Sequence, residues 1–223
     1  PAVALEVDGG RVSGVRTAGR AVRAVRGVVL ATGGFSRSAE LLELFVPDQS
    51  AAMPYGGPGN TGDGLRMAWA LGAGLADVGH VAGTYGQHPD TTDDEHELLT
   101  ASYLGAILVN ERGERFIDES LPYKDLGSAV LAQPGQRAFQ VFDASVRALS
   151  RPGIPLSDME AIERRGHLVS APTLAALESR LGVPADALAR TVAQYNAAVA
   201  SAEPDAFGRT GLVNGVGALA PID

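Results

Sequence analysis

The chain of 223 residues contains no cysteine, and Lys124 is its only lysine beside seventeen arginines. The absence of cysteine excludes disulfides, thiolate metal ligands and thiol nucleophiles, although it does not fix the cellular compartment. The four histidines show no tight ligand spacing, so we expect no metal site.

Long apolar runs and basic stripes are also missing from the sequence. No apolar run approaches the ~18 residues that a membrane-spanning helix needs, and no signal peptide is visible. A net charge of −8 without a basic stripe argues against a nucleic-acid partner. A hydrophobic content of 45% is enough for a core, and the length suits one or two domains. We therefore expect a piece of a cytoplasmic enzyme.

The most informative stretch is residues 27–36, which read Gly-Val-Val-Leu-Ala-Thr-Gly-Gly-Phe-Ser. The apolar run Val28–Leu30, followed by a glycine pair, predicts a buried strand that feeds a tight turn. Adjacent glycines let the backbone turn sharply and approach a flat group, because no Cβ intervenes. A helical pattern follows over residues 38–45. This order is typical of nucleotide sites, but a tight turn in any α/β domain gives the same pattern.

A family resemblance begins in the same stretch. Residues 31–35, Ala-Thr-Gly-Gly-Phe, resemble the signature of FAD-dependent oxidoreductases of the fumarate reductase and 3-ketosteroid Δ1-dehydrogenase group. Four further matches follow in the expected order. They are an Asn-Thr-Gly-Asp-Gly turn at 60–64, Gln-His-Pro at 87–89, a strand and turn at 107–119, and a helical pair at 173–196 followed by Asp-x-Phe-Gly-Arg at 205–209. The ordered set covers most of the chain and is far more specific than any single motif.

The resemblance also implies that the chain is an internal fragment. Such enzymes begin with a strand and a Gly-x-Gly-x-x-Gly turn that holds the FAD pyrophosphate, and no such turn opens this chain. A literal Gly-x-Gly-x-x-Gly occurs at residues 57–62, but Pro54 is incompatible with the central strand that must precede it. We expect the 223 residues alone to bind FAD weakly and to be inactive, and the intact parent to use FAD.

We predict an α/β plus α+β fold in two domains. Residues 1–77 resemble part of an FAD-binding domain, with a β-meander, the glycine turn and a helix over 61–73. Residues 78–213 resemble the cap, or substrate, domain, and residues 214–223 begin the return to the FAD domain.

The pattern of apolar residues and turn signals places the individual elements. In the first domain we predict strands at 2–7, 11–16 and 21–26. In the cap we predict strands at 106–110 and 138–143, an exposed loop at 89–96, and helices at 125–132, 157–165, 173–181 and 185–202.

The resemblance assigns cofactor contacts to Ala31, Thr32, Gly33, Gly34 and Asp63. The first four form the turn that would lie beside the adenosine half of FAD. Asp63 matches an aspartate whose turn contacts the cofactor. Without a cofactor role, Asp63 is an acidic residue in the first turn of a helix, where it interacts favourably with the helix dipole.

Two residues are catalytic candidates by the same resemblance, Tyr123 and His88. Tyr123 ends a segment similar to the Asn-Glu-Ser-x-Pro-Tyr of ketosteroid dehydrogenases, where the tyrosine assists proton removal next to the ketone. A phenol has a pKa near ~10, so a base needs a nearby cation, and Lys124 is adjacent in sequence. His88 matches the substrate-binding histidine and could donate to a carboxylate or ketone oxygen. The alternatives are a packed surface tyrosine and a loop histidine.

No arginine lies between Arg66 and Arg112, so the dicarboxylate clamp and the arginine proton donor of fumarate reductases are not carried over. We therefore favour a flavin-dependent dehydrogenase or reductase that acts on a C–C bond next to a carbonyl, in a ketosteroid-like or other apolar small molecule. Its electron donor or acceptor is not identified. The alternatives are a fumarate-type reductase of unsaturated dicarboxylates and a non-catalytic cap module that binds a small ligand.

Overall fold

The computed structural model describes residues 1–92, 97–201 and 203–223, and it forms two compact units, Pro1–Val81 and Ala82–Asp223. Both units contain helices and small antiparallel sheets, in agreement with the predicted mixed α/β content. The predicted loop at 89–96 and the end of the predicted helix at Ala202 lie partly outside the described residues. No helix in these three described ranges is long and apolar enough to cross a membrane.

The first unit opens with a three-stranded antiparallel meander. Its strands are β1 (Ala2–Asp8), β2 (Arg11–Thr17) and β3 (Ala21–Arg23), in that spatial order. The first hairpin turns at Gly9 and Gly10, whose φ angles of +54° and +77° suit glycine. The first two predicted strands are confirmed, and the third ends at Arg23, three residues earlier than predicted.

Two short helices complete this unit. In α1 (Ala39–Phe45), the Ser38 side chain accepts a hydrogen bond from the Leu41 amide at 3.3 Å and caps the first turn. The second helix, α2 (Asp63–Trp69), is shorter than the predicted 61–73 and continues as a turn to Gly72. Phe45 joins the two helices, because its ring centroid lies 5.8 Å from that of Trp69.

The predicted strand at Val28–Leu30 is wrong for this structure. The segment is not a strand, and Val29 is 89% exposed. An extended segment becomes a strand only when a neighbouring backbone takes its hydrogen bonds. Within the described residues no strand pairs with this run, since β1, β2 and β3 pair only with one another. The apolar pattern is typical of a strand, but the described residues contain no neighbouring strand that pairs with this run.

The second unit is built on a two-stranded antiparallel sheet of β4 (Ile107–Val109) and β5 (Phe139–Val141). In the described part of this unit, five α-helices surround the sheet: α3 (Tyr123–Leu131), α4 (Ala144–Arg147), α5 (Met159–Arg164), α6 (Leu174–Leu181) and α7 (Ala187–Ser201). The positions of α3, α5, α6 and α7 agree with the prediction within a few residues. The short α4 was not predicted, because its four residues are too few for a helical period to show.

Caps and burial explain how these elements are placed. Thr173 caps α6, since its hydroxyl accepts a hydrogen bond from the Ala176 amide at 3.2 Å. Strand β4 is buried throughout. Ile107 and Val109 pack in a cluster with residues of α7, whereas Leu108 packs in a separate cluster with Leu126 of α3. The sheet thus fixes α3, and with it Tyr123, relative to the core of the second unit.

Candidate functional site

The glycine turn of the first unit is built together with the turn before α2. The Gly62 amide donates to the Gly34 carbonyl at 3.0 Å, and Gly33 adopts a φ of +76°. A Cβ on Gly33 would overlap Asn60 Oδ1, and a Cβ on Gly64 would overlap Thr32 Oγ1. The predicted motifs at 31–35 and 60–64 are therefore one packed structure in which glycine is required at 33 and 64.

The five predicted cofactor residues share an open surface within this unit. Ala31, Thr32, Gly33, Gly34 and Asp63 are all exposed. Apart from the flanking Gly33 and Phe35, no heavy atom of the described residues lies within 4 Å of the position that a Cβ on Gly34 would take, so the backbone is bare there. Asp63 is the first residue of α2, and its carboxylate accepts a hydrogen bond from the Thr61 hydroxyl at 2.9 Å. A bare, exposed backbone of this kind fits the edge of a flat cofactor.

His88 lies in the second unit and has defined partners. Its Nδ1 accepts a hydrogen bond from the Asp90 amide at 3.2 Å. Its ring stacks on that of His167, with 3.9 Å between the ring centroids and an angle of 6° between the planes. Burial and the nearby charge of His167 lower the pKa of His88 below its usual range.

A buried acid lies beside this pair of rings. Glu97 Oε2 is 3.7 Å from His167 Nδ1 and 2.9 Å from an Arg165 guanidinium nitrogen. Sequence reasoning missed Glu97, Arg165 and His167, because Glu97 lies some 70 residues before the other two and no spacing rule joins them. Among the described residues, no group of three His, Asp or Glu side chains is arranged to hold a metal ion.

Tyr123 is the first residue of α3 and is 45% exposed. The Lys124 ammonium lies 6.0 Å from the centre of its ring, a cation–π distance. The backbone N–H of Tyr123 hydrogen-bonds to the hydroxyl of Tyr103, and burial raises the pKa of Tyr103. Tyr103 thus takes one of the amide donors that a helix leaves unpaired at its N-terminus, and it fixes the start of α3.

A third tyrosine continues this row into the core. The rings of Tyr85 and Tyr103 meet edge to face, with centroids 6.2 Å apart, and the Tyr85 hydroxyl hydrogen-bonds to Ser102. Burial raises the pKa of Tyr85 strongly. No hydrogen bond or ring contact among the described residues joins His88 to Tyr123. The chain itself connects the two clusters, since Tyr85 and His88 are three residues apart.

Beneath the tyrosines lies a buried ionic network. Arg209 is 1% exposed, and its guanidinium donates to Glu119 at 3.0 Å and to the carbonyls of Ala106 and Ser102 at 3.2 and 3.1 Å. Arg115 bridges Glu119 and Asp205, both at 2.6 Å. The Asp-x-Phe-Gly-Arg motif at 205–209 therefore has a structural role in this unit, and the sequence alone did not identify its partners.

These features define a mixed α/β protein of two units, one with an exposed glycine turn and one with a helix-rich body around buried ion pairs. The chain belongs to the FAD binding domain family, whose profile matches residues 1–217. This membership confirms the predicted family and identifies FAD as the cofactor of the family.

Relatives of several activities are similar to the chain. It is 30% identical to an NADH:fumarate oxidoreductase of Klebsiella pneumoniae over 210 residues, which are 92% of this chain and 22% of that protein. It is 33% identical to a 4-oxocyclohexanecarboxylate 2-dehydrogenase of Sinomonas cyclohexanicum over 218 residues, 89% of this chain and 36% of that protein. The chain thus spans between about a fifth and two fifths of the length of these relatives.

A solved structure is similar as well. A 3-ketosteroid Δ1-dehydrogenase from Sterolibacterium denitrificans, in complex with 1,4-androstadiene-3,17-dione, matches with a TM-score of 0.78 and 27% sequence identity. The match covers 100% of this chain and 45% of that protein. The fold of this chain is therefore shared with part of a solved 3-ketosteroid Δ1-dehydrogenase.

Proposed function

We propose that this chain is part of a flavin-dependent dehydrogenase or reductase that acts on a C–C bond next to a carbonyl in an apolar small molecule. The arrangement of Tyr123 carries this proposal. Its ring is half exposed at the start of α3, its own amide is held by Tyr103, and a cation lies over its ring. A side chain fixed at its base and open at its tip suits proton transfer to or from a bound substrate.

In this proposal, residues of the first unit bind the cofactor and residues of the second unit contact the substrate. The exposed backbone of residues 31–34 and the side chain of Asp63 would hold FAD. When bound, FAD supplies the redox chemistry of hydride exchange with carbon. His88 would donate a hydrogen bond to the substrate oxygen, and Tyr123 would handle the proton on the carbon next to the carbonyl. The finer division into a partial FAD domain and an α+β cap, the cytoplasmic location and the unidentified electron partner remain predictions.

A fumarate-type reductase is the second candidate, because the Klebsiella relative is named for that activity. A dicarboxylate needs arginine side chains as a grip. Arg165 does approach the cluster that contains His88, but its guanidinium lies 2.9 Å from the Glu97 carboxylate. An arginine already neutralised by a buried acid is a poor clamp for a second carboxylate, which favours the ketone over the dicarboxylate.

A non-catalytic module that binds a small ligand is a candidate of another class. Purification of a full-length protein that contains this chain separates it from an enzyme. Flavin absorbance and turnover of cyclic ketones support the proposal. A colourless protein that binds apolar ligands favours the module, and turnover of fumarate alone favours the reductase.

Tyr123→Phe in the full-length flavoprotein is the direct test of the site. The ring is kept and only the hydroxyl is lost, so we expect turnover to fall by roughly 10²–10⁴-fold. Because the loss falls on the transition state, kcat and kcat/KM should decline together. Turnover within about twofold of the unaltered enzyme, far outside that range, would remove Tyr123 from the catalytic group.

Tyr195→Phe is the matched control. It deletes a buried hydroxyl that donates to the Ala220 carbonyl at 3.1 Å, outside the row of Tyr85, Tyr103 and Tyr123. We expect a stability loss of about 1 kcal/mol, the net contribution of one hydrogen bond, with turnover unchanged. A similar turnover loss in both variants would mean that the effect of Tyr123→Phe is structural.

A further inference from the structure

The stacked rings of His88 and His167 bring two titratable groups into contact. Their ring centroids are 3.9 Å apart, a distance at which two positive charges repel appreciably even in water. His88 is part of the proposed substrate site, whereas His167 has no part in the proposed function. The hydrogen bonds and charges around each ring decide how protons are distributed between them.

The hydrogen bond at His88 defines the state of that ring. Nδ1 accepts the Asp90 amide proton at 3.2 Å, and a nitrogen that accepts cannot carry a proton. His88 in this geometry is therefore neutral, with its proton on Nε2. The Asp90 carboxylate lies 3.9 Å from the same Nδ1 and is largely exposed, so its charge is screened by water.

The surroundings of His167 are different. Its side chain is 12% exposed, and Glu97, whose side chain is 10% exposed, lies 3.7 Å away. In the described part of the chain, His167 Nδ1 and both Glu97 oxygens are buried and lack a well-directed hydrogen bond, although Arg165 lies 2.9 Å from Oε2. A buried carboxylate beside a ring nitrogen favours the protonated ring. Among the described residues, which leave out 93–96, the charged groups that lie near the pair are Asp90, Glu97 and Arg165.

We propose that the two histidines carry a single proton, held on His167 by Glu97, so that His88 stays a neutral Nε2–H donor toward the substrate oxygen. His167 is then a positioning residue, which acts only through His88. This inference rests on the proposed function for the use of His88, but the protonation order itself does not depend on catalysis. The lowered pKa of His88, caused by burial and by the charge of His167, agrees with this order.

Nitrogen-detected NMR titration of the histidines in the 223-residue chain tests the inference without any activity measurement. In the unaltered chain, we expect His167 to protonate before His88 as the pH falls. Near neutral pH, Nδ1 of His88 should have the chemical shift of an unprotonated nitrogen. Protonation of His88 before His167, or a proton on Nδ1 of neutral His88, would overturn the proposal.

Two variants sharpen the titration. His167→Phe keeps a stacked ring but removes its charge, so the midpoint of His88 should shift to higher pH. His80→Phe is the control, because His80 is exposed and its recorded ion pair is with Asp77, and the midpoint of His88 should not move. An unchanged or lowered midpoint in His167→Phe would overturn the proposal. Loss of turnover in Tyr123→Phe, or its absence, bears only on the proposed function.

Discussion

Two tripeptides of nearly the same composition differ in structure and in burial in this chain. Val28–Leu30 in the first unit, the exposed run, is not part of any strand, and its Val29 and Leu30 are 89% and 41% exposed. Ile107–Val109 in the second unit, the buried run, is strand β4 and is essentially inaccessible. Both are apolar and rich in β-branched residues, so intrinsic propensity does not distinguish them.

The difference lies in what completes their backbone hydrogen bonds. The buried run pairs with β5 along one edge. On its other side, the Leu108 amide donates to Glu119 at 2.9 Å, and the carbonyl of the preceding Ala106 accepts from Arg209 at 3.2 Å. Side chains distant in sequence thus substitute for a second neighbouring strand. The comparison teaches that a strand depends on its partners as much as on its own residues.

Arg209→Met should have the largest effect on this comparison, because it removes the cation that closes the buried run. Glu119 would lose a partner within a site that excludes water, and removing one member of a buried ion pair costs about 3–5 kcal/mol. We expect the second unit to lose that much unfolding free energy, measured by denaturant titration with hydrogen exchange of β4 amides as the local probe. A loss below about 1 kcal/mol, the range of exposed ion pairs, would mean that the network is not tightly closed.

Truncating the two runs compares them directly. Leu108→Ala deletes packing in a filled core and should cost roughly 2–5 kcal/mol. Val29→Ala changes an exposed side chain and should stay within about 0.5 kcal/mol. Equal losses in the two variants, measured by the same denaturant titration, would show that the exposed run is buried in solution.

A substitution in the glycine turn after the exposed run should lower the unfolding free energy by a smaller amount. Gly33→Val imposes a branched side chain at φ +76° and overlaps Asn60, so we expect a loss of about 1–3 kcal/mol from backbone strain. Fluorescence of Trp69, the only tryptophan, reports the unfolding of this unit. In the full-length flavoprotein the same change should abolish flavin retention. Gly34→Ala is the control for the fold, since a Cβ meets nothing within 4 Å there, and its unfolding should match that of the unaltered chain.

The smallest expected difference between the two units is in how their stabilities change in acid. Burial acts to raise the pKa of Asp205, but the Arg115 hydrogen bond and charge outweigh it and hold the pKa below its usual range. The ionised form therefore stabilises the fold above about pH 4, the range of an unfolded aspartate, and this contribution is lost as the pH falls through the folded pKa. Asp205→Asn should flatten the acid limb of stability in the second unit and leave the Trp69 signal unchanged. If stability in Asp205→Asn falls with pH as steeply as in the unaltered chain, other carboxylates cause the loss of stability in acid.

Local signals in the sequence predicted the elements whose causes are local. The first hairpin and the spacing of α6 and α7 depend on residues within a few positions of one another. The glycine turn was also predictable, because positive φ favours glycine. These features were predicted correctly to within a few residues.

Features that depend on distant partners were not predictable in this way. The exposed run has the composition of a buried strand, and only the absence of a neighbour in the described chain shows otherwise. His167 and Glu97 lie 79 and 9 residues from His88, with no periodic relation to it. Family resemblance named His88 and Tyr123, but it did not reveal what surrounds them, because those contacts exist only after folding.

The ion pair between Arg209 and Glu119 also sets an order of events during synthesis. The two residues are 90 positions apart, so Glu119 is made long before its partner. At about 5–20 residues per second, Glu119 waits roughly 5–18 seconds for Arg209 to be polymerised, and longer for it to leave the ribosome. Until then Glu119 has, in the described part of the chain, only Arg115 as a cationic partner, and the Ala106 carbonyl beside β4 lacks its Arg209 donor. The nascent second unit therefore exposes this side of β4 until Arg209 has left the ribosome.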